Sequence, residues 1–127
     1  MAFRSLPDIG PPAVEVATQA HNQAPGFIFI APKLGPGQHG PMIIDHLGRP
    51  VWFREVKYAL DFKVQYCQDK VVLTWWKGDR FPWSHVGEYV ILDRSHREIT
   101  RVQAGNGYRG NQHEILITPQ DTALITI

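Results

Sequence analysis

Two kinds of β-hairpin recur along this chain, and the recurrence limits the folds open to it more than any other feature of the sequence. The segment IIDHLGRPVW aligns with ILDRSHREIT at an offset of 48 residues, which places Asp45 on Asp93. The segment VQYCQDKVVLT aligns with LITPQDTALIT at an offset of 52 residues, which places Gln68-Asp69 on Gln120-Asp121. Because the two hairpins alternate, one period holds four strands. Self-similarity at a period of about 50 residues with four strands per repeat is typical of β-propeller blades.

The rest of the sequence predicts strands and turns rather than helices. Short runs rich in β-branched and aromatic residues predict strands, and no segment shows a 3.6-residue period. The 11 glycines and 10 prolines suit a chain with many turns. The predicted elements are a first strand at Phe27–Ile30 and four hairpins over residues 42–53, 62–76, 88–102 and 115–127. The chain is therefore predicted to be all-β.

The period and the length together predict an incomplete propeller. Residues 1–25 are proline-rich and weakly apolar, and are expected to form an extended N-terminal arm. Residues 26–127 are expected to form about two and a half four-stranded blades, with blades near 26–60 and 61–104 and the start of a third at 113–127. A β-sandwich is the alternative, since hairpin turns also repeat by composition. Because propellers have typically 4–8 blades, the chain is expected to be a piece of a longer protein.

Charge and cysteine content exclude several classes of function. The 13 Lys and Arg against 12 Asp and Glu give a net charge of +1, which provides no electrostatic footprint for nucleic acid or an anionic membrane. Cys67 is the only cysteine, so no intrachain disulfide forms, and no Cys/His spacing suits a metal. Motifs of nucleotide cofactors and of common hydrolases are absent, as is the apolar segment of a signal peptide. We therefore expect no cofactor, no metal and no nucleic-acid partner.

His113 is the candidate site residue that the repeat itself provides. At the offset of 52 residues it aligns with Asp61, at the start of the predicted innermost strand of a blade. Equivalent positions in successive blades face one channel mouth, so Asp61 and His113 are expected to be neighbours on a ring. Arg109 and Asn111 lie on the loop that leads to His113, where an arginine can pair with an anion. The structural alternatives are a histidine bonded to a loop carbonyl and a solvated loop arginine.

Six collinear segments carry a family resemblance: PGFIFIAP, MIIDHLGRPVWF, DFKVQY, VLTWWKG, GEYVILD and GNGYRGNQHEILITPQDTALIT. Together they cover nearly the whole chain from about Phe3, and they resemble the amino-terminal part of the arylsulfotransferase family, in its actinobacterial and fungal branch. The resemblance implies a six-bladed propeller. It also implies transfer of a sulfuryl group from an aryl sulfate ester to a phenol through a histidine, with no nucleotide donor.

The resemblance further implies roles for single residues. His113 with Glu114 matches the family's HE motif, which implies a histidine in the funnel that binds a sulfate oxygen. His85, in WSHVGEY, matches a histidine-glycine loop of the family, with a turn histidine as the alternative. The attacking histidine of the family belongs to later blades, so the catalytic residue is not expected here and the 127 residues alone are expected to be inactive. Members of the family are usually exported.

Two other interpretations stay open beside the enzyme fragment. A non-catalytic binding or scaffold propeller would have the same fold and no chemistry. A short standalone product would misfold or join copies of itself to close a ring, because the unpaired edges of a partial propeller favour self-association. The expected ligands are a small aryl sulfate and a phenol, bound by the full-length parent.

Overall fold

A computed structural model describes residues 8–79 and 87–127, and in this part of the chain every regular element is a β-strand. The all-β class is therefore confirmed. The strands are β1 (Ile28–Ile30), β2 (Met42–Ile44), β3 (Pro50–Phe53), β4 (Ala59–Cys67), β5 (Lys70–Gly78), β6 (Gly87–Leu92), β7 (Glu98–Val102), β8 (Ile115–Ile117) and β9 (Ala123–Ile125).

The strands form three antiparallel sheets, and within each sheet the strands that pair are consecutive in the sequence. The three-stranded sheet has the order β1-β2-β3, the four-stranded sheet β4-β5-β6-β7, and the two-stranded sheet β8-β9. No sheet in the described residues closes into a barrel. The region 26–60, predicted as a four-stranded blade, contributes three strands to its sheet. The region 61–104 corresponds to the four-stranded sheet, whose first strand begins at Ala59.

The chain divides into two compact units, one ending at Lys57 and the other beginning at Tyr58. In the first unit, residues 8–25 contain no strand and lie against the loop that precedes β2. Gln38 holds this arm: its backbone N–H donates to the Gly10 carbonyl over 3.1 Å, and its side-chain oxygen accepts the Gly10 N–H over 2.7 Å. Its amide nitrogen also donates to the carbonyl of Asp8 over 3.0 Å. A single residue, through its backbone and its side chain, therefore fixes the described start of the arm.

Strand β5 of the second unit is buried on both faces of the four-stranded sheet. Trp75 and Trp76 are consecutive on β5, so their side chains point to opposite faces, and each is only 1% exposed. Trp75 packs edge-to-face against Phe62, with ring centroids 6.1 Å apart. Trp76 packs with Tyr89 and with Ile115 of the two-stranded sheet. Burial of a strand on both faces is consistent with the long apolar run of β5.

The aligned turns at Asp45 and Asp93 have the same hydrogen bonds. The N–H of Asp45 donates to the carbonyl of Arg49, and the N–H of Asp93 donates to the carbonyl of Arg97. Each aspartate carboxylate also accepts the backbone N–H groups two and four residues later. Each arginine then reaches back to its aspartate, with Nε–Oδ2 distances of 2.6 and 3.4 Å. The 48-residue repeat of the sequence is therefore a repeat of this turn.

The second aligned pair of turns, at Gln68-Asp69 and Gln120-Asp121, differs in geometry. Gln68 and Asp69 both have positive φ angles, 51° and 57°, as in the two-residue hairpin turn of type I′. In the other hairpin only Asp121 has a positive φ, and the N–H of Thr118 donates to the carbonyl of Thr122 across a longer turn. The shared Gln-Asp letters therefore do not indicate a shared turn, although both segments join adjacent antiparallel strands.

The carboxylates of the two matching turns have lowered pKa values. For Asp93 the largest cause is the hydrogen bond from the N–H of Arg97, partly opposed by burial and reinforced by the N–H of Ser95 and the Arg97 guanidinium. For Asp45, burial raises the pKa, but the N–H and side chain of Arg49 with the N–H of Leu47 outweigh it. Both carboxylates are therefore stabilised in their ionised form by folding.

Acid is expected to weaken these turns, and Asp93→Asn is expected to remove part of the acid sensitivity. Because the folded pKa lies below the unfolded value of about 3.9, the stabilisation is complete above that value and is lost as the pH falls through the folded pKa. The measurement is urea unfolding at about pH 7 and about pH 3 for both proteins. Asp69→Asn is the control, since the Asp69 carboxylate makes no hydrogen bond within the described residues. If the free energy of unfolding falls equally between these two pH values in Asp93→Asn and in the unmodified chain, the linkage is contradicted.

Candidate functional site

Asp61 lies near the start of β4, at an irregularity of the strand between Leu60 and Lys63. Its φ angle of 51° is uncommon for a residue other than glycine, and it turns the carboxylate out of the regular strand direction. One carboxylate oxygen accepts the backbone N–H of Ile115, at the start of β8, over 3.0 Å. The other oxygen pairs with the Lys63 ammonium at 2.9 Å. Asp61 therefore connects the four-stranded sheet to the two-stranded sheet.

Lys63 extends this connection to the residue that follows His113. Its ammonium lies 3.6 Å from a carboxylate oxygen of Glu114, in addition to its contact with Asp61. The cluster of Asp61, Lys63 and Glu114 therefore contains two carboxylates and one ammonium, a net charge of −1. The Asp61 side chain is only 14% exposed, whereas the Glu114 side chain faces solvent.

Gln65 is the residue of this region that the sequence interpretation missed. It is 8% exposed, and its amide nitrogen donates to the Thr74 hydroxyl over 2.8 Å and to the Ile115 carbonyl over 3.3 Å. Its amide oxygen accepts the N–H of Ile117 over 2.8 Å. The sequence shows only a glutamine between two apolar residues of a strand. The alternation of side chains along a strand predicts that such a glutamine faces solvent, so the pattern did not indicate its burial.

Asp61 and Gln65 together satisfy the backbone of β8 on the side away from β9. The N–H of Thr126 donates to the carbonyl of Glu114, and the N–H of Thr118 donates to the carbonyl of Thr122. The backbone N–H and carbonyl groups of the even-numbered residues along β8 therefore point towards β9. In an antiparallel pair the backbone N–H and carbonyl groups of the alternate, odd-numbered residues then point away from the partner strand. The outward N–H groups of Ile115 and Ile117 and the outward carbonyl of Ile115 are the groups that Asp61 and Gln65 bind. Two side chains of β4 thus take the place of a neighbouring strand on the side of β8 where the described residues provide none.

Asn111 fixes the loop that leads to His113. Its side-chain oxygen accepts the backbone N–H of His113 over 3.1 Å, and its own N–H donates to the Thr126 carbonyl over 2.6 Å. Its carbonyl accepts the hydroxyl of Tyr89 over 2.9 Å. The pKa of that hydroxyl is raised above its usual value by burial and by the negative charges of Asp61 and Glu114, so Tyr89 stays a proton donor. Three hydrogen bonds therefore hold the backbone before β8.

His113 and Arg109 differ from these neighbours because the described residues provide no polar partner for their side chains. Both residues are exposed, and neither the imidazole of His113 nor the guanidinium of Arg109 has a hydrogen-bond or ion-pair partner within the described residues. The Asp61 carboxylate binds the backbone N–H of Ile115, two residues after His113, and not the His113 side chain. His85 lies outside the described residues.

The described residues contain no group of three or more His, Cys, Asp or Glu side chains placed to hold a metal ion. They also contain no helix with the length and apolar character needed to span a membrane. Comparison with protein families, with curated proteins and with solved structures finds no match to this chain. The likeness to arylsulfotransferases therefore depends on the sequence motifs alone.

Proposed function

We propose that this chain forms successive blades of an arylsulfotransferase-like propeller, in which Arg109 and His113 bind the sulfate group of an aryl sulfate ester. One observation carries the proposal: these two polar side chains are exposed and have no partner within the described residues, while the backbone at His113 is held by Asn111. A ligand site needs groups that the fold itself does not use, held on a backbone that does not move when the ligand arrives.

The propeller arrangement is supported by the way β4 and β8 meet. By the 52-residue alignment these strands are equivalent, and each begins a hairpin of its own sheet. Side chains of β4 reach the open side of β8, so two equivalent strands lie close to each other at the same end. Strands related in this way around a central axis are the innermost strands of neighbouring blades in a propeller.

The chemistry proposed for these residues is binding and charge stabilisation. An aryl sulfate is a monoanion with three equivalent terminal oxygens, which suits the forked donors of an arginine and the N–H of an imidazole. In the family reaction a histidine nitrogen forms a bond to sulfur while the bond from sulfur to the phenolic oxygen breaks, and a phenolate leaves. Positive groups near the sulfate oxygens stabilise the charge that moves in this step. The attacking histidine would come from a later blade of the full-length parent.

The test is calorimetric binding of 4-nitrophenyl sulfate to the purified 127-residue chain. We expect His113→Ala and Arg109→Gln each to weaken binding about tenfold, because one charge-assisted hydrogen bond contributes about 1.5 kcal/mol. His46→Ala is the matched control, since His46 is also an exposed turn histidine whose ring has no partner within the described residues. Unchanged affinity in both site variants would contradict the assignment. No release of 4-nitrophenol is expected from this chain alone.

A non-catalytic scaffold is the second candidate, and the charge of the cluster beside His113 favours it. Asp61, Lys63 and Glu114 carry a net charge of −1 next to the proposed sulfate site, which opposes the approach of an anion. The scaffold predicts that 4-nitrophenyl sulfate does not bind and that Arg109 and His113 are solvated surface residues. The same calorimetric series therefore separates the two candidates.

A further inference from the structure

A cavity lies at the end of the four-stranded sheet opposite to Asp61. In a meander the turn from β4 to β5 and the turn from β6 to β7 fall at the same end, and the cavity is formed by residues of these two turns and the adjoining strands. Its volume is about 370 Å³. Cys67 at this end lies six residues after Asp61 on β4, roughly 20 Å away at 3.3 Å per residue. The cavity is thus separate from the surroundings of His113.

Part of the cavity wall is apolar. Val71 and Val72 of β5 and Ile99 of β7 line it, together with the Cys67 thiol. Val72 is buried, whereas Ile99 is 56% exposed. An isoleucine on a cavity wall that remains more than half exposed would lose unfavourable contact with water if an apolar group filled the space. The volume lies within the range of about 300–1,000 Å³ typical of small-molecule sites.

The charged residues that line the cavity are two cations and one carboxylate. Lys70 and Arg94 line it, both are exposed, and neither cation has a partner within the described residues. The one carboxylate in the lining, Asp93, already accepts the backbone N–H groups of Ser95 and Arg97 and pairs with the Arg97 side chain. Two cations therefore stay available to a ligand, while the nearby anion is neutralised by its own turn.

We propose that this cavity binds a small organic anion with an apolar body, such as an aromatic carboxylate or sulfonate. The apolar body would lie against Val72 and Ile99, and the anionic group would face Lys70 and Arg94. This site is independent of the sulfate site proposed at His113, because it uses the opposite end of the sheet and different cations. The combination of apolar walls with two unpaired cations matches the composition of ligand pockets, in which a few polar groups orient a largely apolar ligand.

Cys67 provides the measurement, because it is the only cysteine of the chain and it lines the cavity. Its alkylation rate with iodoacetamide is measured with increasing naphthalene-2-sulfonate, and with the neutral naphthalene-2-sulfonamide as the matched compound. We expect saturable protection by the sulfonate, at concentrations about tenfold lower than those the sulfonamide needs. Equal protection by the two compounds, or no protection by either, would overturn the proposal.

Variants then test whether Lys70 and Arg94 cause the preference for the sulfonate over the sulfonamide. The double change Lys70→Gln and Arg94→Gln is expected to weaken protection by the sulfonate about tenfold and to leave protection by the sulfonamide unchanged. Lys77→Gln is the control, since Lys77 is an exposed lysine near the opposite end of the same strand. Circular dichroism of each variant establishes that the strands are retained. A double variant that keeps the full preference for the sulfonate would overturn the proposed role of the two cations.

Discussion

Replacing Trp76 with alanine is expected to lower the free energy of unfolding by about 3–5 kcal/mol, the usual cost of removing a large buried aromatic side chain. The indole is 1% exposed and packs with Tyr89 and Ile115, and Tyr58 meets it edge-to-face with ring centroids 6.0 Å apart. Because these partners come from β6, β8 and the chain before β4, the loss is expected to affect both sheets of the second unit. Urea unfolding followed by circular dichroism measures it.

The surroundings of Trp76 explain why a smaller residue cannot fill the space. Gly78 and Gly87 pair across β5 and β6, and the indole covers this pair so closely that a Cβ atom on either glycine would lie about 2 Å from the ring. The backbone of two strands is therefore shaped to one aromatic ring. Its removal leaves a cavity lined by backbone that relaxes little.

Two variants show whether packing is the cause of the Trp76 effect. Trp76→Phe is expected to cost less than half as much as Trp76→Ala, since the ring is largely retained and the lost indole N–H has no acceptor within the described residues. Trp52→Ala in the first unit is the matched control, since that tryptophan is only half-buried. A cost below about 1 kcal/mol for Trp76→Ala would contradict the described packing.

The strands and the aspartate turns could be predicted because their causes are local. The turn at Asp93 depends on a carboxylate that binds N–H groups two and four residues away, so its pattern is contained in five consecutive residues. The strand runs on either side follow from β-branched and aromatic residues between such turns. Their repetition along the chain predicted the order of the hairpins as well.

The contacts between sheets could not be predicted in the same way. Alternation along β4 predicts that Lys63 and Gln65 face solvent, whereas Gln65 is buried against a strand 50 residues away in the sequence. Likewise the 52-residue alignment related Asp61 to His113, but it did not indicate that the Asp61 carboxylate binds the backbone of Ile115. The alignment identified the end of the sheet and not the atoms that meet there. Long-range side-chain-to-backbone bonds leave no periodic pattern in a single sequence.

Replacing Gln65 with leucine is expected to lower the free energy of unfolding by about 2–4 kcal/mol, although leucine has a similar volume. The change removes the partner of the buried Thr74 hydroxyl and the partners of the Ile115 carbonyl and the Ile117 N–H. Each buried polar group left without a partner costs about 1–3 kcal/mol, reduced here for any group that water reaches. Urea unfolding measures the total loss.

Hydrogen exchange shows where that loss falls. In Gln65→Leu the amide of Ile117 is expected to exchange much faster, because its acceptor is gone, whereas the amide of Ile115 keeps its acceptor, Asp61. Asp61→Asn should leave the Ile117 amide protected and break the ion pair to Lys63 instead. Gln103→Leu is the matched control, because in the described part of the chain the exposed Gln103 amide bonds only to the Glu88 side chain. Its effect should stay within about 0.5 kcal/mol. If Gln65→Leu leaves the exchange of the Ile117 amide unchanged, and Asp61→Asn likewise leaves that of the Ile115 amide unchanged, β8 is not held by β4 side chains. The basis for treating β4 and β8 as neighbouring inner strands would then fail as well.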